Sequence, residues 1–486
     1  MRQSLTDVVV VGTGGAGMAA ALTATEGGAK AVVFEKRHTP GGTSNLPRGG
    51  IFAVESRLQR EKNYPFTRDQ VFQSFMNFNH WWVNAKLVRA FIDKSANTIE
   101  WLERQGIEFM ELPSTPSPHL VGGYATGHPV KGQGTGVIVM KALRARAEEK
   151  GVEVYLATAV KKIVMDKDRV AGVMVDGRSG RIKVKTRAVV IATGGFSSNK
   201  GMMKKYCGFD LGTNLFPLFD LKLTGDGIKM AWEVGAVPDG MGPQLIVGVP
   251  GPGFFESQLP IIQGQPYLWI NQEGERFFNE EIIRNPVFAG NAIARQTGKC
   301  SFLIFDGNTK KHMEQEGVDY SNIFFPESKL NDLDGQIKTL IRKKNTNVFV
   351  ADSLEGLAKK IGVTPGPLRR TADEYNRFCE KGHDDLFNKN PKYLRPVQEP
   401  RFYAFRIFPS MYGTLGGIKI NEKTEVLNKE NRVIPGLYAA GYDACGIFGN
   451  PPDYNFFTPG STYGFALNSG RIAGENALKY IKLIGK

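Results

Sequence analysis

Gly12-Thr13-Gly14-Gly15-Ala16-Gly17 follows directly on the apolar run Val8-Val9-Val10-Val11 and leads into an alanine-rich stretch. A second apolar run, Ala31-Val32-Val33-Phe34, ends in Glu35-Lys36. Strand, glycine turn, helix, strand and acid in this order make a site for a diphosphate and a ribose. Gly12 permits a tight turn, Gly14 lets backbone amides approach a pyrophosphate, and Gly17 lets the helix pack close to its strand. The amides of Gly15 and Ala16 at the helix start face the phosphate charge. Glu35 accepts hydrogen bonds from ribose hydroxyls, where an arginine would instead suit a 2′-phosphate. Glycine turns arise by chance in a chain with 57 glycines. The flanking strands, the helix and the spaced acid distinguish this one.

A second polar glycine loop, Gly41-Gly42-Thr43-Ser44 followed by Arg48-Gly49-Gly50, comes just after the acid-bearing strand. Two such loops in tandem suit FAD, whose pyrophosphate and flavin ring both need close backbone approach. Further on, Arg187–Ile191 runs into Ala192-Thr193-Gly194-Gly195-Phe196, and Thr224-Gly225-Asp226-Gly227 opens a helix. Gly460-Ser461-Thr462-Tyr463 precedes a long terminal helix. The first amides of that helix, at the positive end of its dipole, would stabilise negative charge on the N1–O2 edge of a reduced flavin. No histidine or cysteine lies at a recognisable flavin-attachment motif, so the expected FAD is non-covalent.

These loops need elements to position them. Residues 51–115 read as helical, with Trp81, Trp82, Phe91 and Trp101 packed on apolar faces. The glycine-rich passage 122–136, which carries Tyr124 and His128, reads as a loop near cofactor or substrate, followed by a helix at 137–150. Strand periodicity over 151–191 predicts a meander ending at Ile191. Residues 251–404, richer in proline and charge, read as an inserted domain. It holds a hairpin around Glu273-Gly274 and a helix at 353–361 capped by Asp352 or Ser353. The expected fold is α/β: a Rossmann-type FAD-binding domain in two parts, 1–250 and 405–486, with an inserted α+β capping domain at 251–404.

Composition excludes several classes. The chain has 486 residues, 41% of them hydrophobic, and no apolar run reaches the ~20 residues that cross a bilayer. The start shows no leader pattern, which predicts a cytoplasmic protein without a transmembrane segment. The four cysteines, Cys207, Cys300, Cys379 and Cys445, form no haem, iron–sulfur or metal spacing. Electrons must then arrive from a separate donor or leave to a separate acceptor. The net charge of +14 is spread along the chain. No nucleic-acid motif accompanies it, which leaves solvated surface first and an acidic redox partner second.

Assembled, these motifs resemble the flavoprotein family of soluble fumarate reductases, urocanate reductase and 3-ketosteroid dehydrogenases. The resemblance rests on the two glycine loops, Phe34-Glu35-Lys36, Ala192–Phe196, Asn279-Glu280, Gly413-Thr414-Leu415-Gly416-Gly417, Pro435–Gly441 and Gly460–Gly470. It implies further cofactor contacts at Ala159, Val160, Gly441 and Tyr442, the last standing where the family has an acid, with Asp443 beside it. It also implies reduction of a C=C bond conjugated to a carbonyl or carboxyl, with hydride from flavin N5 and a proton from Arg284. That arginine follows Asn279-Glu280 at the family's spacing; the competing reading is an ion pair with Glu280 or Glu281. Where the family clamps dicarboxylates with two histidines and an arginine, this chain has Ile246, Gly413 and Phe457. An unmatched carboxylate there would cost roughly several kcal/mol, which argues for a substrate larger and more apolar than fumarate. Tyr124, Tyr412, Tyr454, Phe456 and Phe457 would line its pocket, with Tyr412, Tyr124 and Tyr454 as alternative proton donors and His128 either a substrate contact or a structural hydrogen-bonding residue. The alternatives are a dehydrogenase introducing such a double bond, a non-redox flavoprotein, and a silent FAD-binding subunit.

Overall fold

The computed structural model describes residues 6–112, 125–177, 180–219, 221–321, 328–448 and 460–485. Tyr124, Tyr454, Phe456 and Phe457 lie outside them. The elements that bear on the site are, in chain order, β1 (Thr6–Val11), α1 (Gly15–Glu26), β2 (Ala31–Phe34), α2 (Ala85–Arg104), α3 (Thr135–Glu149), β3 (Glu153–Tyr155), β4 (Ala159–Asp166), β5 (Arg169–Gly177), β6 (Gly180–Ile191) and α4 (Asp226–Glu233). They continue with β7 (Gly242–Gly248), β8 (Leu268–Ile270), β9 (Ser301–Asp306), β10 (Val348–Ala351), α5 (Leu354–Ile361), β11 (Phe402–Leu415), β12 (Glu425–Leu427), β13 (Val433–Ala439) and α6 (Ser461–Ile484).

The chain divides into two compact units, one of 1–208, 220–244 and 413–486, the other of 209–219 and 245–412. The expected insertion, 251–404, falls inside the second unit, whose edges at Leu245 and Tyr412 lie within the unbroken strands β7 and β11.

In the first unit the strand order is β12-β13-β6-β1-β2-β3. β1 runs parallel to β2, with Val8 opposite Ala31, and parallel to β6, with Val8 opposite Ala188. A parallel sheet covered on both faces needs continuously apolar strands, and Val8–Val11 and Ala188–Ile191 are buried throughout. The meander expected over 151–191 is present only from Ala159 on, where β4 pairs antiparallel with β5 and β5 with β6; β3 instead adds to the sheet edge, parallel to β2. Its last strand, β6, runs from Gly180 to Ile191.

The alanine content of α1 has a packing cause. A Cβ on Gly470 of α6 would collide with the Ala16 carbonyl oxygen, and one on Gly474 with that of Ala20. The helices therefore touch backbone to backbone, in parallel register.

The second unit is built on a sheet of order β7-β11-β9-β8, with β10 also pairing to β11. Two apolar cores flank it, one around Trp269, Phe305 and Phe405, the other around Ile270, Leu357 and Tyr375. Ser353 caps α5, its hydroxyl accepting from Gly356 N at 3.0 Å.

Three local expectations are corrected. The region from residue 51 opens with a short strand, Ile51–Phe52, before its helices begin. Phe91 and Trp101 are buried on α2, but Trp81 and Trp82 are 54% and 68% exposed, because they lie in the turn before α2 rather than on a helical face. Asn271–Glu275 closes a turn after β8 without a returning strand; β8 pairs with β9 instead.

Adding one methyl at the α1–α6 contact tests this packing. Gly470→Ala is expected to destabilise the protein by about 1–3 kcal/mol, seen as a lower thermal midpoint. Gly201→Ala, whose added Cβ would stand 3.5 Å from Asn199 Oδ1, should leave it unchanged.

Candidate cofactor and active site

The first glycine loop and Glu35 are joined directly. Thr13 N and Thr13 Oγ1 donate to Glu35 Oε2 at 3.1 and 2.8 Å, and Arg37 N donates to Oε1 at 2.9 Å. The carboxylate is thus held in place with lone pairs to spare for a ribose. Gly41 N donates to Thr13 Oγ1, and Gly15 N donates to Ser44 Oγ at 2.8 Å, which locks the second glycine loop onto the first. A slot beside them is lined by Gly12, Glu35, Lys36, Ala159, Val160, Thr193 and Asp226. Sequence-distant candidates therefore share one wall. Lys36 Nζ bridges to Asp226 and to Thr224 Oγ1, both at 2.8 Å. Burial raises the Asp226 carboxyl, but Lys36 outweighs it and holds the group below its ordinary range.

Thr193-Gly194-Gly195, at the end of β6, is fixed from below by a residue that local sequence does not single out. The buried Asp443 carboxylate accepts from the backbone amides of Thr193, Gly194 and Gly195 and from the Thr193 hydroxyl. Burial pushes this carboxyl up, opposed by those donors. Thr414 Oγ1 accepts from Phe196 N at 2.8 Å. Gly441 sits over Ala16 and donates to Ser469 Oγ. Gly50 presses on the backbone of Gly127 and His128, which makes it a packing glycine. For Gly42, Thr43 and Gly49 the geometry shows a polar, partly open loop.

α1 and α6 both begin at glycines without a side-chain cap. At the start of α6 the buried Ser461 Oγ and Tyr463 hydroxyl have no hydrogen-bond partner among the described residues, and the Tyr463 ring lies against Gly15. Two glycine-started helices, one with orphaned buried hydroxyls in its first turn and the other reached at its first amide only by Ser44, are what a diphosphate-linked cofactor would satisfy. The residues fit FAD.

His128 is corrected as a substrate contact. It lies in a short strand, fully buried, with Nε2 2.7 Å from Ser56 Oγ and Nδ1 3.0 Å from the Thr126 carbonyl. Both ring nitrogens serve the framework, and burial pulls its pKa down to about 4.

In the second unit, Arg284 ends a short 3₁₀ turn, Glu280–Arg284, capped by Asn279, whose Oδ1 accepts from Glu281 N. Neither neighbouring acid pairs with it. Glu280 binds Arg276 through two hydrogen bonds of 2.8 Å and lies 3.4 Å from Lys389 Nζ. Glu281 Oε1 accepts from Asn390 N. Among the described residues Arg284 has no ion pair; its buried Nε has no partner, and its guanidinium stacks 5.6 Å from the Tyr320 ring centre. Ile246, on β7, is buried with its backbone against Gly290. Desolvation pushes the Tyr412 phenol up to about 12. In the first unit, Gly413 is packed by the Tyr442 ring: a Cβ there would lie 2.6 Å from Tyr442 Cε2.

A parallel sheet with a glycine-rich β1–α1 turn, an acid ending β2 and two uncapped helix starts defines a dinucleotide-binding flavoprotein. The chain belongs to the FAD binding domain family, whose pattern matches residues 7–450, and is an FAD-dependent oxidoreductase. It is similar to vinyl phenol reductase of Lactiplantibacillus plantarum, at 34% identity over 98% of this chain and 96% of that protein. It is also similar to the cytochrome fumarate reductase of Shewanella frigidimarina, at 30% identity over 98% of this chain and 77% of that protein. Among solved structures, 3-ketosteroid delta1-dehydrogenase from Sterolibacterium denitrificans shares the fold, with TM-score 0.79 at 21% identity over 98% of this chain and 99% of that one. Among the described residues no helix is long and apolar enough to cross a membrane, and no cluster suits a metal ion.

Two measurements follow from the geometry. Acid precipitation should release the yellow colour into the supernatant, and Glu35→Ala should weaken FAD retention; colour left in the pellet would mean a covalent link. The second concerns His128. Its folded pKa is depressed from 6.5 to about 4, so between those values the unfolded chain binds a proton that the folded chain refuses. Stability contributed here is complete above pH 6.5 and falls by up to about 3 kcal/mol as pH drops toward 4. Urea unfolding across this window should show a shallower slope for His128→Gln than for the unsubstituted protein.

Proposed function

We propose that the protein reduces the C=C bond of an alkene conjugated to an aromatic ring or carbonyl group, with Arg284 as proton donor. The observation that carries this reading is the commitment of Glu280 and Glu281 to other partners, which leaves Arg284 without an ion pair among the described residues. Bound FAD, once reduced by a separate donor, would supply a hydride to one carbon of the double bond. Arg284 would stabilise the carbanion-like charge that develops on the substrate and protonate it. Arginine holds its proton firmly, so the transfer is favourable only to a strongly basic carbon. The full-length similarity to a protein named vinyl phenol reductase supports an aromatic alkene. Ile246 and Gly413, where dicarboxylate clamps would be expected, support a substrate less polar than fumarate.

The test is single-turnover reoxidation of the reduced protein by vinyl phenol and by fumarate. Arg284→Ala should keep its FAD and still accept electrons from a viologen, while reoxidation slows at least the ~10²-fold that one positioned proton donor supplies. Arg284→Lys should be intermediate, because the charge stays and the planar fork is lost. Equal rates for unsubstituted protein and Arg284→Ala would remove the arginine from the chemistry and direct attention to Tyr412.

A further inference from the structure

A residue that no motif singles out, Gln244 on β7, connects Tyr442 to the start of α6. The Tyr442 hydroxyl donates to Gln244 Oε1 at 3.0 Å, and Gln244 Nε2 donates to Thr462 Oγ1 at 3.2 Å. Gln244 is 3% exposed, so water does not compete for these bonds. The Tyr442 ring has the room it occupies because position 413 carries no side chain.

The chain has a direction. A tyrosine hydroxyl that gives its proton to the amide oxygen orients that amide with its N–H toward Thr462. A threonine hydroxyl that accepts this N–H has its own proton left to give. Among the described residues that proton has no acceptor. Thr462 is in the first turn of α6, next to the buried and unpartnered Ser461 Oγ. Donor groups therefore gather at one helix start that no side chain caps.

We propose that Tyr442 and Gln244 are positioning residues that hold the Thr462 hydroxyl as a donor toward the anionic edge of the reduced cofactor, and so raise the potential at which bound FAD is reduced. The proposal rests on the reading that the start of α6 meets the flavin N1–O2 edge. A donor held there favours the negatively charged reduced form over the neutral oxidised form. Without the Tyr442 hydroxyl, the Gln244 amide is free to turn and accept from Thr462, which withdraws the donor.

The test is the two-electron midpoint potential of the FAD-loaded protein, measured by dye equilibration. Tyr442→Phe keeps the ring against Gly413 and removes only the hydroxyl. It should lower the ratio of reduced to oxidised FAD about tenfold at a given ambient potential, about 30 mV for a two-electron couple. Thr462→Val should shift the potential the same way, and Thr462→Ser should restore it. Gln244→Leu, which leaves α6 untouched, should reproduce the Tyr442→Phe value. The combined Tyr442→Phe and Thr462→Val variant should shift no further than Thr462→Val alone, since the upstream link acts only through Thr462. Additive shifts, or a shift with Thr462→Val and none with Tyr442→Phe, would overturn the chain while leaving α6 at the flavin. If neither substitution moves the potential, the placement of α6 fails as well.

Discussion

The cofactor unit depends on two helices packed backbone to backbone. α1 and α6 meet at Ala16 and Gly470, then one turn on at Ala20 and Gly474, so they run parallel with their dipoles aligned. Parallel dipoles in contact repel, and each helix start also leaves amides without partners. A dianionic pyrophosphate and a flavin that becomes negative on reduction would relieve both costs if bound there. The same packing brings the Tyr463 ring against Gly15. The alanines of α1 and the glycines of α6 thus express one requirement.

A comparable economy of charge organises the second unit. Arg276, Glu280, Asp384 and Lys389 are all buried, and removing any charge would leave another unpaired in a poorly solvated place. Arg276 is bound by both acids, with pairs of hydrogen bonds to Glu280 and Asp384, while the Lys389 ammonium also reaches the Tyr375 hydroxyl at 2.7 Å. Burial pulls the Lys389 pKa down, with Glu280 opposing it. The network balances two cations against two anions. By occupying Glu280 it leaves the arginine at the end of the same turn without an ion-pair partner among the described residues.

Asp443 and Tyr442 show how adjacent residues can divide the work. Asp443 turns inward and gathers three successive amides, which holds the end of β6 near the end of β13. Tyr442 turns the other way, fills the space beside Gly413 and reaches Gln244. The missing side chain at 413 is therefore matched by a ring supplied from elsewhere in the same unit, rather than by an empty space.

The β1–α1–β2 unit, the antiparallel strands β4–β6, the cap of α5, and the cofactor class were legible in the sequence, because each depends on interactions within a few tens of residues. Glycine spacing, apolar runs and the acid ending β2 are local consequences of close backbone approach, and periodicity reports burial directly. What local sequence did not determine was which partner each polar group would find. Asp443 meets Thr193 across 250 positions and Gln244 meets Thr462 across 218; no periodicity encodes such a pairing. The same limit explains His128, whose glycine-rich surroundings suggested a binding loop while Ser56 and the Thr126 carbonyl claimed both its nitrogens. It also explains Trp81 and Trp82, since aromatic residues next to a helix share its core only when the chain continues along the buried face. For Arg284, the spacing after Asn279-Glu280 was visible in the sequence. Whether Glu280 would neutralise it was decided only by folding, which brought Arg276 and Lys389 to that carboxylate first.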